Sequence, residues 1–181
     1  MFIKFALGIF YILSVVYHKR VNEFVDIFYR KYSFEVTNRF FVWALAIPFL
    51  LFVICFIWLS VRKIYKVLSL LSIIILPVIG QYLVLFVSNV EVIHYIQYAI
   101  ISFIILKISN NLWYSFFSST VLGVIDEMYQ YFVLYVGNPS AYVDYNDMIM
   151  NAHGSLIGIS IFILLEYRFK GLEFLGAFKN T

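Results

Sequence analysis

The stretch VLGVIDEMYQYF, residues 121–132, carries two adjacent carboxylates, Asp126 and Glu127, and an amide, Gln130, inside a run of aliphatic and aromatic side chains. Further on, DYNDMIMNAHGSLIG (144–158) sets Asp144, Asp147 and Asn151 ahead of Gly154 and Gly158. Upstream, EVIHYIQY (91–98) sets Glu91 one helical turn before His94. Carboxylates beside an imidazole are the groups of general acid–base chemistry, and histidine titrates closest to neutrality. In such a site Glu127 and Asp147 are the reacting carboxylates, one a general base and the other an acid or ligand, and His94 moves the proton. Gln130, Asn151, Asp144, Asp126 and Glu91 hold a substrate by hydrogen bonds or opposite charge. The oxygen-rich set also suits a hard divalent cation such as Mg2+ or Ca2+. However, DYNDMIMN lacks the glycine and closing glutamate of a calcium loop.

Helical geometry groups these residues, since positions three, four and seven apart share a face. Glu91, His94 and Tyr98 form one stripe, and Gly123, Glu127 and Gln130 a second. Asp147, Asn151, Gly154 and Gly158 form a third, which Asp144 joins if the helix begins early enough. Gly123, Gly154 and Gly158 are the helix-packing positions, because small residues let backbones approach closely in lipid. Asp126 points about 100° away from Glu127 on the wheel, which leaves it open to the same site or to a partner elsewhere in the bundle.

The elements that must position these groups are apolar. Of the 181 residues, 64% are hydrophobic and only 13% charged, and mean hydropathy is +0.92. Soluble domains are nearer half apolar and a quarter charged, so the composition is that of an integral membrane protein. Six apolar stretches, roughly 2–17, 40–60, 67–88, 91–108, 112–136 and 147–166, approach the length that crosses a bilayer. Without an alternating ten-residue pattern, each must be a helix that satisfies its own backbone. The expected fold is an all-α transmembrane bundle of about six spans forming one domain over residues 1–181. Val21, Phe24, Val25 and Phe28 add a short interfacial helix after the first span.

The first span has a basic Lys4 but no small-residue cleavage site before YHKR, so it is read as retained. With both termini cytoplasmic, eight Lys and Arg fall inside and five outside, all five in the first loop. Glu91, Asp126, Glu127, Asp144 and Asp147, half of the ten acidic residues, then gather near the outer face. The formal charge of +3 reports basic loops facing lipid and points to no nucleic-acid partner. Cys55 permits no intrachain disulfide.

A carboxylate at the bilayer centre costs about 2.5–3.5 kcal/mol on insertion scales. Such a group is therefore a site candidate, whether it reacts, binds a ligand or simply holds helices together by hydrogen bonds worth about 1 kcal/mol.

The run GVIDEMYQYFVLYVGNPSAYVDYNDMIMNAHGSLIG resembles the VanZ-like family of membrane proteins. That family shows a Glu-x-x-Gln step, matched by Glu127 and Gln130. It follows with Asp-x-x-x-Asn-x-x-Gly-x-x-x-Gly, matched by Asp147, Asn151, Gly154 and Gly158. EVIHYIQYAI is similar to the family's histidine-containing segment, with His94 as counterpart, so the resemblance spans roughly residues 88–166. Many members carry an Arg in the turn after the Gln span. GNPSAY has none, and Tyr142, Asp144 and Asn146 stand nearby instead.

The resemblance implies a multi-pass protein of the bacterial cytoplasmic membrane, acting in the cell envelope. The family's named member is associated with resistance to glycopeptide antibiotics, especially teicoplanin. The resemblance hands over no reaction. The acidic groups favour an enzyme acting on a lipid-linked or cell-wall-related amphiphile, with membrane lipid as its partner. The alternative is non-catalytic binding, flipping or transport of such a molecule.

Overall fold

The computed structural model describes residues 2–40, 89–139 and 142–170, together with 43, 50, 54, 75 and 78–81. Every regular element among them is helical. Most of the expected second and third spans, 40–60 and 67–88, lies outside the described residues, as does Cys55.

Helix α1 runs unbroken over Phe2–Tyr32, 31 residues. The sequence contains no glycine or proline from Ile9 to Ile47, and polar side chains alone do not interrupt backbone hydrogen bonding. The first span and the interfacial helix expected after it are therefore one element. Through the basic stretch the helix is supported at its surface, where Arg20 reaches Glu23 at 2.9 Å. Arg30 and Lys31 fill the last turn, where cations complement the helix dipole. Ser33, at φ 70°, ends it.

A 3₁₀ turn over Asn89–Val92 leads into α2, Ile93–Ser109. Asn110 adopts the left-handed conformation at φ 53° and returns its N–H to the Leu106 carbonyl. The Asn111 side chain then accepts the Tyr114 N–H and starts α3, Leu112–Tyr129. Two asparagines thus suffice to reverse the chain. At its end α3 passes into a π turn over Gln130–Leu134, closed by the Tyr135 N–H on the Gln130 carbonyl at 3.0 Å.

Helix α4, Tyr145–Lys170, packs against both α2 and α3, while α1 lies along α2. A Cβ on Gly154 would stand 2.8 Å from the Tyr95 carbonyl oxygen, and one on Gly158 would overlap the Ala99 carbonyl. Small residues at these points let α4 lie directly on the α2 backbone. Tyr98, Ile101 and Ile105 form a core cluster that α1 covers with Leu7, Phe10 and Tyr11.

Polar side chains are buried beside this apolar core, and large apolar ones face outward. His94, Asp126, Glu127, Asn151, Ser102, Ser115, Ser119 and Ser155 are buried, while Trp113, Phe117, Phe132 and Val136 are more than half exposed. Among the described residues, one helical segment, the 22 residues of Tyr145–Glu166 with mean hydropathy 1.8, is long and apolar enough to cross a membrane. Ile93–Ser109 is apolar but shorter.

Candidate functional site

Three helices bring His94, Glu127, Asp147 and Asn151 together. Helix α2 presents His94 from its first turn, α3 presents Glu127 from its last, and α4 presents Asp147 and Asn151 from its start. Asp144 fixes where α4 begins. Its Oδ1 accepts the N–H of Asn146 at 2.9 Å and of Asp147 at 3.3 Å, the hydrogen bonding of a helix N-cap. Asp147 is consequently held in the first turn, at the favourable end of the helix dipole.

His94 is the hub. Its Nε2 lies 3.2 Å from Asp147 Oδ2, and its Nδ1 lies 2.9 Å from Asn151 Oδ1 and 4.0 Å from Glu127 Oε1. Asn151 in turn donates through Nδ2 to the Gly123 carbonyl at 3.4 Å. Gly123 allows this contact, since a Cβ there would stand 2.7 Å from the Asn151 Cβ. Gln130 donates to Glu127 Oε1 at 3.2 Å and reaches Asp126 Oδ1 at 3.4 Å. The two stripes read from helical spacing on α3 and α4 therefore face each other and converge on His94.

Asp126 has a different setting. It is fully buried and turned toward α2, accepting from Tyr98 Oη at 3.0 Å and Gln97 Nε2 at 3.2 Å. Gln97 also reaches Ser14 of α1 at 3.1 Å. Asp126 thus ties α1, α2 and α3 together behind His94 and Glu127 rather than facing the open space.

That space is a cavity of about 580 Å3. Its floor includes His94, Gln97, Glu127, Gln130 and Asp147. Glu91 in the 3₁₀ turn and Asp144 and Tyr142 in the loop form part of its rim. The Tyr142 phenol, in the loop outside the helices, is pushed above its usual range chiefly by the adjacent Asp144 carboxylate. Among the described residues, the charged groups of the lining are six carboxylates, including Glu23 and Asp26 of α1, and Lys19. The chemistry favours a cation or a ligand carrying one.

The α1 wall is the part that sequence reasoning missed. Ser14, His18, Asn22, Val25 and Tyr29 recur on one helical face and line the cavity. The His18 ring lies 5.8 Å from that of His94, and Asn22 donates to Tyr135 Oη at 3.0 Å just beyond the π turn. The spacing was readable, but only if α1 runs straight through YHKR.

His153, two residues past Asn151, faces elsewhere. It meets Gln81 at 3.0 Å and the edge of Tyr95, joining residues 78–81 to the bundle.

His94, Glu127 and Asp147 each offer one ligand atom within 4.8 Å of the others, the geometry of a candidate metal centre. Gln130, Asn151 and Gly123 position that trio, and Glu91 and Asp144 line the approach to it. Comparison with models of protein families, with curated proteins and with solved structures returned no match.

Proposed function

We propose that the protein is a VanZ-like, six-span enzyme of the bacterial cytoplasmic membrane, with both termini cytoplasmic, acting on a lipid-linked or cell-wall-related amphiphile. The observation that carries this reading is His94, buried between two carboxylates from different helices at the floor of a 580 Å3 cavity. Glu127 takes the proton of a water or substrate hydroxyl. The positive charge held between His94 and Asp147 meets the negative charge that develops on the opposite side. Glu91 and Asp144 at the rim hold the polar head of the substrate, while its apolar part remains in lipid.

A membrane setting is supported by the outward-facing Trp, Phe, Ile and Val side chains and by the apolar Tyr145–Glu166 segment. A link to glycopeptide resistance follows from the resemblance of residues 88–166 to the VanZ-like family. One observation favours a second reading, capture or transport without chemistry. Glu23 and Asp26 of α1 line the cavity beside Glu91, so it presents negative charge well beyond the reacting groups.

The test places purified protein in nanodiscs with a bacterial envelope-lipid extract and follows the lipids by mass spectrometry. A lipid altered by the wild type and untouched by Glu127→Gln supports the enzyme. A lipid retained by the wild type but unaltered favours the second reading. A lipid profile unchanged and nothing retained would overturn both.

A further inference from the structure

We propose that His94, Glu127 and Asp147 bind one divalent transition-metal ion, of the Zn2+ or Mn2+ class, with Asn151 and Gln130 orienting the ligands. This rests on the reading of the cluster as a reacting centre: the ion would supply its positive charge, and Glu127 would bind it through one carboxylate oxygen and keep the other for the proton.

The argument begins with the Asn151 amide. Its Nδ2 points at the Gly123 carbonyl, 3.4 Å away, which turns Oδ1 toward His94 Nδ1 at 2.9 Å. A carbonyl oxygen only accepts, so the Nδ1 proton must occupy that bond. The other nitrogen, Nε2, then faces Asp147 Oδ2 at 3.2 Å. A neutral imidazole whose proton sits on Nδ1 offers a lone pair there, and the carboxylate offers another. Two lone pairs in that position call for a proton between them, on the ring or on the carboxyl group, or for a metal ion.

Three further observations favour the metal. The first is placement: three different helices each bring one ligand atom, from His94, Glu127 and Asp147, to within 4.8 Å of one another. The second is Asp147 Oδ1, a buried oxygen with no hydrogen-bond partner. A carboxylate with one oxygen toward Nε2 and the other unpaired is placed to turn toward a cation.

The third is the outer shell. Metal-binding histidines characteristically donate their remaining ring N–H to a carbonyl or carboxylate, and metal-binding carboxylates are themselves hydrogen-bonded. Asn151 does the first for His94, and Gln130 does the second for Glu127 at 3.2 Å. The trio also departs from the oxygen-only set that suits Mg2+ or Ca2+. An imidazole nitrogen with two carboxylates shifts preference toward the first transition row. The ligand atoms, within 4.8 Å of one another, come from three helices, so the ion would also pin α2, α3 and α4 at their shared end.

The test uses full-length protein in detergent, stripped with a chelator, exchanged into chelator-free buffer and titrated calorimetrically with ZnCl2 or MnCl2 alone. One ion per chain is expected. Asn151→Ala should weaken binding about 10- to 100-fold, and His94→Ala and Asp147→Asn at least as much, whereas Glu35→Gln on the exposed surface should not change it. Excess Mg2+ should fail to displace the ion. Electron spin-echo spectroscopy of Mn2+ in the wild type needs no variant and should show a coupled imidazole nitrogen. A folded chain that takes up no ion, equal affinity in His94→Ala, displacement by Mg2+, or a spectrum without nitrogen would each overturn the proposal. Lipid turnover that persists after chelation would sink the metal and leave the enzyme standing. Specific metal binding without turnover would do the reverse.

Discussion

Gly158 of α4 meets the carbonyl of Ala99 on α2 with no room for a methyl group between them. Four residues earlier, Gly154 lies against the Tyr95 backbone in the same way. The helix that carries Asp147 and Asn151 is thereby seated directly on the helix that carries His94.

Adding a methyl at this seat forces the helices apart. Gly158→Ala is expected to destabilise the protein by about 1–3 kcal/mol, as overpacking does in other cores. Gly154→Ala, whose Cβ would stand 2.8 Å from backbone oxygen, should act in the same direction. Gly8→Ala, which meets nothing within 4 Å, should be neutral or gain about 0.5–1 kcal/mol from helix propensity. Thermal unfolding in detergent reads all three. Equal melting of Gly158→Ala and wild type would mean that α2 and α4 do not pack this way.

Asp126 and Glu127 are neighbours in sequence with different surroundings, the first among Tyr98 and Gln97 and the second at the cavity. Asp126→Ala removes the acceptor shared by Tyr98 and Gln97 and should cost about 1–3 kcal/mol, a fall in melting temperature. Glu127→Gln should leave melting nearly unchanged while abolishing the proposed turnover. A stabilised Asp126→Ala protein would show that its carboxylate is tolerated rather than structural.

The continuity of α1 can be tested at its exposed basic turn. Lys19→Pro should cost about 3 kcal/mol and lower helicity by circular dichroism. Lys19→Ala should not. A chain that broke near residues 18–20 would accept the proline, and the cavity would lose the wall holding His18 and Asn22.

The two-asparagine reversal between α2 and α3 gives a fourth expectation. Asn111→Ala loses the cap on Tyr114 and should cost about 1 kcal/mol. Asn110→Val places a branched side chain at φ 53° and should cost about 1–2 kcal/mol, whereas Asn110→Gly should be tolerated. Chemical or thermal unfolding of the three variants orders them, and a tolerated Asn110→Val would contradict the left-handed turn.

Helical spacing was enough to place Glu127 and Gln130 on one face and Asp147 and Asn151 on another, because polar groups within apolar runs stand out against their neighbours. The same contrast failed for α1. His18 and Asn22 sit among Lys19, Arg20 and Glu23, where a polar side chain is ordinary, and the basic run read as a loop. Attention to helix breakers would have served better, since none occurs there. Spacing also could not decide where Asp126 points. Its position on the wheel allowed an interior or a packing role, and only the placement of Gln97 and Tyr98 on the adjacent helix settled it.

The π turn at Gln130–Leu134 holds one residue more than an α-helical turn would. Everything beyond it is rotated by about 100° relative to an unbroken helix. Deleting a single residue there, such as the outward-facing Phe132, would restore α-helical winding. Glu127 would stay where it is, while Tyr135 would swing away from Asn22 of α1. Two versions of the pocket, alike in their carboxylates and unlike in one wall, are thus separated by one codon. Gain or loss of that codon resets one wall of the proposed site while His94, Glu127 and Asp147 keep their places.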